Sequence, residues 1–168
     1  MPGGVRIEAE AWESEVGRRL VRALDRDLGA RYAEADLSTE PDWAMLNVLT
    51  ESVSPPHGVF LVARLDGEPV GCGAIRRHGD DECEVKRMYV APEARGRGIA
   101  RALLAGLEAA AAELGYRRLV LETGTEQPEA IALYESAGWT AIEPFGAYRG
   151  SALSRCYEKL VRPAGAPT

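Results

Sequence analysis

The chain has 168 residues, 46% of them hydrophobic and 27% charged, with a formal net charge of −6. That length favours a single domain able to bury roughly 68–70% of its unfolded surface; the acidity argues against a nucleic-acid surface, which wants a basic stripe; and no run reaches the ~18 apolar residues of a membrane span, nor do residues 1–10 carry the apolar segment of a secretory signal. Three widely spaced cysteines (Cys72, Cys83, Cys156) and two distant histidines (His57, His78) form neither a disulfide framework nor a metal-ligand spacing, so reduced thiols, no metal and a cytoplasmic location are expected.

Residues 5–8 read as a short first strand. Trp12, Val16, Leu20, Leu24 and Leu28 then recur every fourth residue, one apolar stripe of an amphipathic helix, with Gly29 placed to close it. Thr39-Glu40-Pro41-Asp42 offers an N-cap, a first-turn proline and an acid. Trp43, Leu46, Leu49 and Val53 give a second helix its stripe, and Pro55-Pro56 stops it. From residue 59 the period changes. Residues 59–63 are a continuous apolar strand, Asp66-Gly67 is a hairpin signal, and residues 69–75 return with glycines that suggest a bulge or a close backbone approach. A turn at 78–81 leads to a third strand, 83–90, broken by Ala91-Pro92. Ile99, Ala100, Leu103, Leu104, Leu107, Ala110, Ala111 and Leu114 fit the i, i+3, i+4 helical template, with Gly115 just past its end. Residues 117–123 are a short buried strand. Gln127-Pro128 opens another helix with Ala130, Ile131, Leu133, Tyr134 and Ala137 on its apolar face, and strands at 139–142 and 155–161 close the chain. The order predicts an α+β fold with helices packed on a mixed sheet.

The chemistry concentrates between residues 90 and 104. An apolar strand runs into Arg95-Gly96-Arg97-Gly98-Ile99-Ala100 and then a long helix. The first turn of a helix leaves N–H groups unpaired at the positive end of its dipole, and glycines let a ligand approach them. Arg95, Arg97 and Arg101 add guanidinium groups, which match phosphate oxygens. A glycine pair alone reads as a tight turn; three arginines at a helix start make the segment an anion site. It lacks the Gly-Lys-Ser/Thr of a Walker loop and the third glycine of a dinucleotide fingerprint.

Arg95-x-x-Gly98-x-Ala100 resembles the [Gln/Arg]-x-x-Gly-x-[Gly/Ala] signature of the GNAT acetyltransferase superfamily. Glu84-Val-Lys-Arg-Met-Tyr-Val90 is similar to that family's fourth strand, and Ala130-Ile-Ala-Leu-Tyr134-Glu-Ser-Ala-Gly138-Trp139 to its later helix. The resemblance covers residues 59–142 and reaches the N-terminal helices only by order and length. It implies a mostly antiparallel central sheet flanked by helices, its fourth and fifth strands (83–90 and 117–123) splayed apart. It also implies one acetyltransferase domain at 1–162 with a flexible tail at 163–168, and acetyl-CoA as co-substrate. By the same analogy Arg95 and Gly96, with the backbone of Arg97, Gly98, Ile99, Ala100 and Arg101, hold the pyrophosphate. Met88 and Val90 pair with the pantetheine arm like an added strand. Gln127 stands where many relatives carry Asn, and either contacts that arm or caps its helix.

Acetyl transfer from a thioester to an amine needs a base for the amine's proton, a donor for the oxyanion and an acid for the leaving thiolate. The resemblance puts Tyr134 in the acid's place, where an ordinary pKa of ~10 keeps it protonated; packing on the apolar helix face is the competing reading. Glu84 is the candidate base, with an ion pair to Lys86 or Arg117 as its competing role and Glu122 as the alternative base. The N–H of Tyr89 is the implied oxyanion donor. Residues 31–43 and 144–154 bound the acceptor, and Tyr32, Glu34, Asp36, Trp43, Phe145 and Tyr148 lie there, a set suited to a cationic amine. The expected function is acetylation of a primary amine, a small molecule in the first reading. A protein lysine or N-terminus is the second, and a non-catalytic acyl-CoA-binding module the third. No nucleic-acid or membrane partner is expected, and the closing strands could pair across a homodimer.

Overall fold

The computed structural model describes residues 4–38, 40–42 and 51–167; Thr39 and residues 43–50, which hold Trp43, Leu46 and Leu49 of the expected second helix, lie outside the described residues. Strand β1 (Val5–Ala9) leads to helix α1 (Glu15–Arg31), which Ser14 caps by accepting the Gly17 N–H at 3.0 Å. The helix runs past Gly29. That glycine has no left-handed φ to end it, and Arg31 bonds back to Asp27 at 3.0 Å in the next turn. A single 3₁₀ turn at Glu51–Val53 precedes β2 (Val59–Leu65), β3 (Glu68–Arg77) and β4 (Glu82–Val90). A 3₁₀ turn at Pro92–Ala94 follows, then α2 (Ile99–Glu113), β5 (Arg118–Gly124), α3 (Pro128–Ser136), β6 (Thr140–Ile142), a turn at Gly146–Tyr148 and β7 (Ser154–Leu160).

The strands form one seven-stranded sheet in the order β1-β2-β3-β4-β5-β7-β6, antiparallel throughout except for β4–β5. This is the expected mixed, mostly antiparallel α+β architecture. Among the described residues no helix is long and apolar enough to cross a membrane. Alternation along β2 sends Leu61 and Ala63 to one face, against Leu103, Leu104 and Leu107 of α2. Phe60 and Val62 go to the other face, with Leu20 of α1. Both faces are covered, which is why the strand reads as an unbroken apolar run. On β3, a Cβ at Gly73 would lie 2.9 Å from both Leu107 Cδ1 and Met88 Sδ, so α2 sits this close only because that residue is glycine. At the C-terminus the N–H of Ala164 bonds the Ala112 carbonyl at 2.9 Å, tying the start of the expected tail to α2.

Strands β4 and β5 pair only from Glu82↔Arg118 to Val85↔Leu121. Beyond that point β4 stays with β3 and β5 with β7. The divergence begins at a bulge. The β3–β4 register slips between Cys72 and Ala74, so that Gly73 opposes both Arg87 and Met88, and Arg87 takes a left-handed φ of 60°. An extra residue bends and twists its strand. The splay implied by the family resemblance is therefore present, and it opens the sheet between the ends of β4 and β5.

Candidate active site

A cleft of about 380 Å³ lies at this opening, walled by β4, the start of α2, α3 and the underside of α1. Gly96 and Gly98 have φ of 77° and 78°, conformations that cost an L side chain dearly. Gly98 is the N-cap of α2, and no side chain caps the helix. Successive N–H groups in such a turn, ahead of an uncapped helix start, form an anion nest. The donor set fits a pyrophosphate. Of the residues expected to hold acetyl-CoA, Met88, Val90, Arg95, Gly96, Gly98, Ile99, Ala100, Arg101 and Gln127 line the cleft; Arg97 is exposed and is not on its wall. The arginines divide their work. Arg95 Nε bonds the Val90 carbonyl at 2.9 Å and its Nη2 lies 3.5 Å from Asp27, while Arg101 Nη2 bonds Ser136 Oγ at 2.7 Å. Both brace the walls of the cleft.

The roof is α1. Arg31 donates to the Glu126 carbonyl at 3.1 Å and pairs with Glu129, and the Tyr32 hydroxyl accepts from Gln127 Nε2 at 3.3 Å. The Tyr32 oxygen occupies the space a Cβ at Gly124 would need, 1.7 Å away. Gln127 thus ties the roof down with its amide and makes no side-chain cap to α3. Tyr32 is a tether between elements.

The ladder corrects one expectation. The Ala91 N–H bonds the Val70 carbonyl at 2.8 Å, and Tyr89 pairs with Cys72 two positions earlier. In an antiparallel ladder, residues two apart point their N–H groups to the same side. The Tyr89 N–H therefore faces β3, away from the cleft, and those of Met88 and Val90 face the opening.

A second cavity of about 80 Å³ shares Leu24, Met88, Gln127 and Tyr134 with the cleft and adds Glu84, Lys86, Arg87, Glu122 and Tyr148. Tyr134 stands at the junction. It is 5% exposed, its ring packs against Trp139 and Tyr157 with centroids 5.9 and 6.1 Å away, and its hydroxyl has no hydrogen-bond partner among the described residues. Burial raises its pKa, so it stays protonated at neutral pH. Glu84 is 1% exposed and both its oxygens are engaged. Arg76, its cross-strand partner, donates from Nε at 2.9 Å and Nη2 at 2.8 Å to Oε1, and the Tyr148 hydroxyl donates to Oε2 at 3.0 Å. Lys86 Nζ lies 3.8 Å away. The ion pair expected with Lys86 is present, and Arg76 takes the place considered for Arg117, which is exposed. Glu122 differs. It is half-buried and accepts one hydrogen bond, from Ser154 Oγ at 2.7 Å. Burial pushes its pKa up to about 8, aided by Glu84 and Glu40 and opposed by Ser154 and Lys86.

Of the residues expected around the acceptor, Tyr148 lines this cavity. Phe145 packs edge-on against Tyr148 and His78, Glu34 and Asp36 are exposed, and Trp43 lies outside the described residues. Sequence reasoning gave no site role to Leu24 and Asp27, whose helix looked like an ordinary surface helix, and placed Arg31 and Ser154 only at the limits of the segments expected to bound the acceptor. It also gave no site role to Lys86 and Arg87, although a Lys-Arg pair inside a central strand is itself a signal. Among the described residues no group of three or more His, Cys, Asp or Glu is placed to hold a metal ion.

Comparison with known proteins agrees with this geometry. Residues 19–139 match the family model described as Acetyltransferase (GNAT) family. An IAA acetyltransferase of Azospirillum brasilense is 42% identical over 143 residues, covering 84% of this chain and 88% of that one. A solved structure from Klebsiella pneumoniae assigned to the acyl-CoA N-acyltransferases is 34% identical, with a TM-score of 0.74 over 93% of this chain and 97% of that one. The PaiA N-acetyltransferase of Thermoplasma acidophilum, solved in complex with coenzyme A, shares the fold at 18% identity and a TM-score of 0.69, over 94% of this chain and 99% of that one. With an uncapped helix start at one end of its cleft and a buried tyrosine and glutamate at the other, this chain belongs to the GNAT family of acyl-CoA-dependent N-acetyltransferases.

Proposed function

We propose that residues 1–162 act as one domain that moves an acetyl group from acetyl-CoA to a small primary amine by direct attack on the thioester. Glu122 accepts the amine's proton, the Met88 N–H stabilises the oxyanion, and the Tyr134 hydroxyl protonates the departing thiolate. The observation that carries this reading is the shared wall: Tyr134 belongs to the cleft suited to the donor and to the cavity that holds Glu122. A base works best with a pKa near the operating pH, which supports Glu122, at about 8. The hydrogen bonds and ion pair on both Glu84 oxygens suit it to orient Tyr148 and Lys86. A cavity of about 80 Å³ has room for a few water-sized groups, which favours a small acceptor over a peptide.

Thiol release from acetyl-CoA across an amine panel tests this directly. With wild type, kcat/KM should rise with pH along a limb near 8 that stays put when amines of different basicity are compared. Glu122→Gln should erase that limb and cost about 10²–10⁴-fold. Tyr134→Phe should lower kcat far more than it changes acetyl-CoA affinity. A wild-type pH profile in Glu122→Gln would remove the base from that position. Release with peptides alone would favour a protein-modifying enzyme.

A further inference from the structure

Behind Glu122 runs a chain of hydrogen bonds that ends on a residue far away in sequence. In the β5–β7 ladder Glu122 lies opposite Cys156, and Gly124 opposite Ser154. Residues two apart on a strand share a face, so Glu122 and Ser154 are diagonal neighbours on one side of the sheet. The Ser154 hydroxyl donates to Glu122 Oε2 at 2.7 Å. Ser154 is 2% exposed, and a hydroxyl buried so deeply costs free energy unless it is bonded; this one gives its proton to Glu122. The Ser154 N–H in turn donates to Ser151 Oγ at 3.1 Å. The Ser151 hydroxyl, also buried, donates to Glu40 Oε2, and the Leu153 N–H donates to Glu40 Oε1 at 3.3 Å. Both oxygens of the half-buried Glu40 are thus engaged by residues 151–153. The Leu153 carbonyl accepts the Thr125 N–H at 2.9 Å, just past the end of β5. The ionisable groups that bear on Glu122 are Glu84 and Lys86 of β4, Glu40, Tyr134 of α3, Tyr32 after α1 and Tyr148.

We infer that Ser154 is a positioning residue for Glu122, seated by Glu40 through Ser151. This rests on the reading of Glu122 as the base and deepens it. The terminal torsion of a glutamate is soft, so a fixed donor on one carboxyl oxygen defines where the other points. Ser154 can donate to Oε2 whether the carboxyl is ionised or neutral, and it keeps its own proton throughout. Oε1 is then the oxygen that takes the amine's proton: the N–H bond breaks, its electron pair stays on nitrogen and an O–H bond forms on Glu122. Misplacing such a group by about 1 Å can cost on the order of 10²-fold in rate. Glu40 extends the hold across the fold, because it fixes residues 151–153 and so the start of β7, on which Ser154 stands.

Thiol release from acetyl-CoA, followed across pH with the amine that wild type turns over fastest, tests this. Ser154→Ala should lower kcat by about 10–10²-fold with little change in the KM for acetyl-CoA. It should also move the Glu122 limb to higher pH, because the charged carboxylate loses a donor. Ser154→Thr keeps the hydroxyl and should restore both rate and limb in large part. Glu40→Gln, which can accept with its carbonyl alone, should lower kcat by less than Ser154→Ala. The double variant should be no slower than Ser154→Ala, since two changes on one path do not add. Circular dichroism checks that each variant folds. Wild-type kcat and limb in Ser154→Ala, beside a Glu122→Gln variant that has lost the limb, would overturn the inference alone. Additive losses in the double variant would overturn the part assigned to Glu40. A wild-type pH profile in Glu122→Gln, or no release to any amine, would overturn it together with the reading it rests on.

Discussion

At the scale of single residues, Glu122 and Gly98 each trade stability for a site. The Glu122 carboxyl has an ordinary value of 4.5 and titrates near 8 when folded, chiefly because burial penalises its charge. The unfolded chain therefore loses this proton first as pH rises, and the folded state loses relative stability between about 4.5 and 8. Glu122→Gln removes that penalty. Its melting temperature should exceed wild type by more at pH 8.5 than at pH 5.5, and equal increments in a calorimetric scan would contradict the raised pKa. Gly98 holds φ at 78° with nothing within 4 Å of where a Cβ would lie, so the constraint is conformational and not one of space. Gly98→Ala should cost about 1–2 kcal/mol in urea unfolding. It should also weaken acetyl-CoA binding in a titration, because the strained turn aims the first N–H groups of α2.

At the scale of elements, α2 carries two duties with one geometry. Its buried face (Leu103, Leu104, Leu107) seals the sheet, and its N-terminus closes the cleft. Leu107→Ala should destabilise by about 2–5 kcal/mol, read as a lowered urea midpoint with an unchanged slope. The β4 bulge also acts at this scale. It bends the strand away from β5, turns the Met88 and Val90 N–H groups toward the opening and brings Lys86 and Arg87 to the small cavity. The glycines of β3 hinted at a bulge. That Gly73 would face Arg87 and Met88 could not be read from β3 alone, since register is a property of a strand pair.

At the scale of the whole molecule, the cleft draws on α1, on the β4-to-α2 segment and on α3, elements brought together only by the fold. A ligand that binds there favours the folded chain as a unit. Acetyl-CoA at 100 times its Kd should add about 2.7 kcal/mol of stability and raise Tm by roughly 5–10 °C. The donor half of the proposed site was legible in sequence because its requirements are local: two glycines in a left-handed turn, a helix start and the strand before it all lie within residues 84–104. The same locality made the strand order, α2 and the Tyr134 helix readable from apolar period and turn residues. The proposed acceptor half was not legible. Whether Glu84 or Glu122 is proposed as the base depends on Arg76 and Tyr148 occupying one carboxylate and on burial raising the pKa of the other against the Ser154 hydrogen bond. The direction of the Tyr89 N–H depends on its pairing with Cys72. The sequence by itself determined the order of the strands, α2, the Tyr134 helix and the family, and it pointed to the segment proposed to hold the pyrophosphate. Only the tertiary structure decided proton affinities, amide directions and which charged groups line the small cavity, because each is set by neighbours that are distant along the chain.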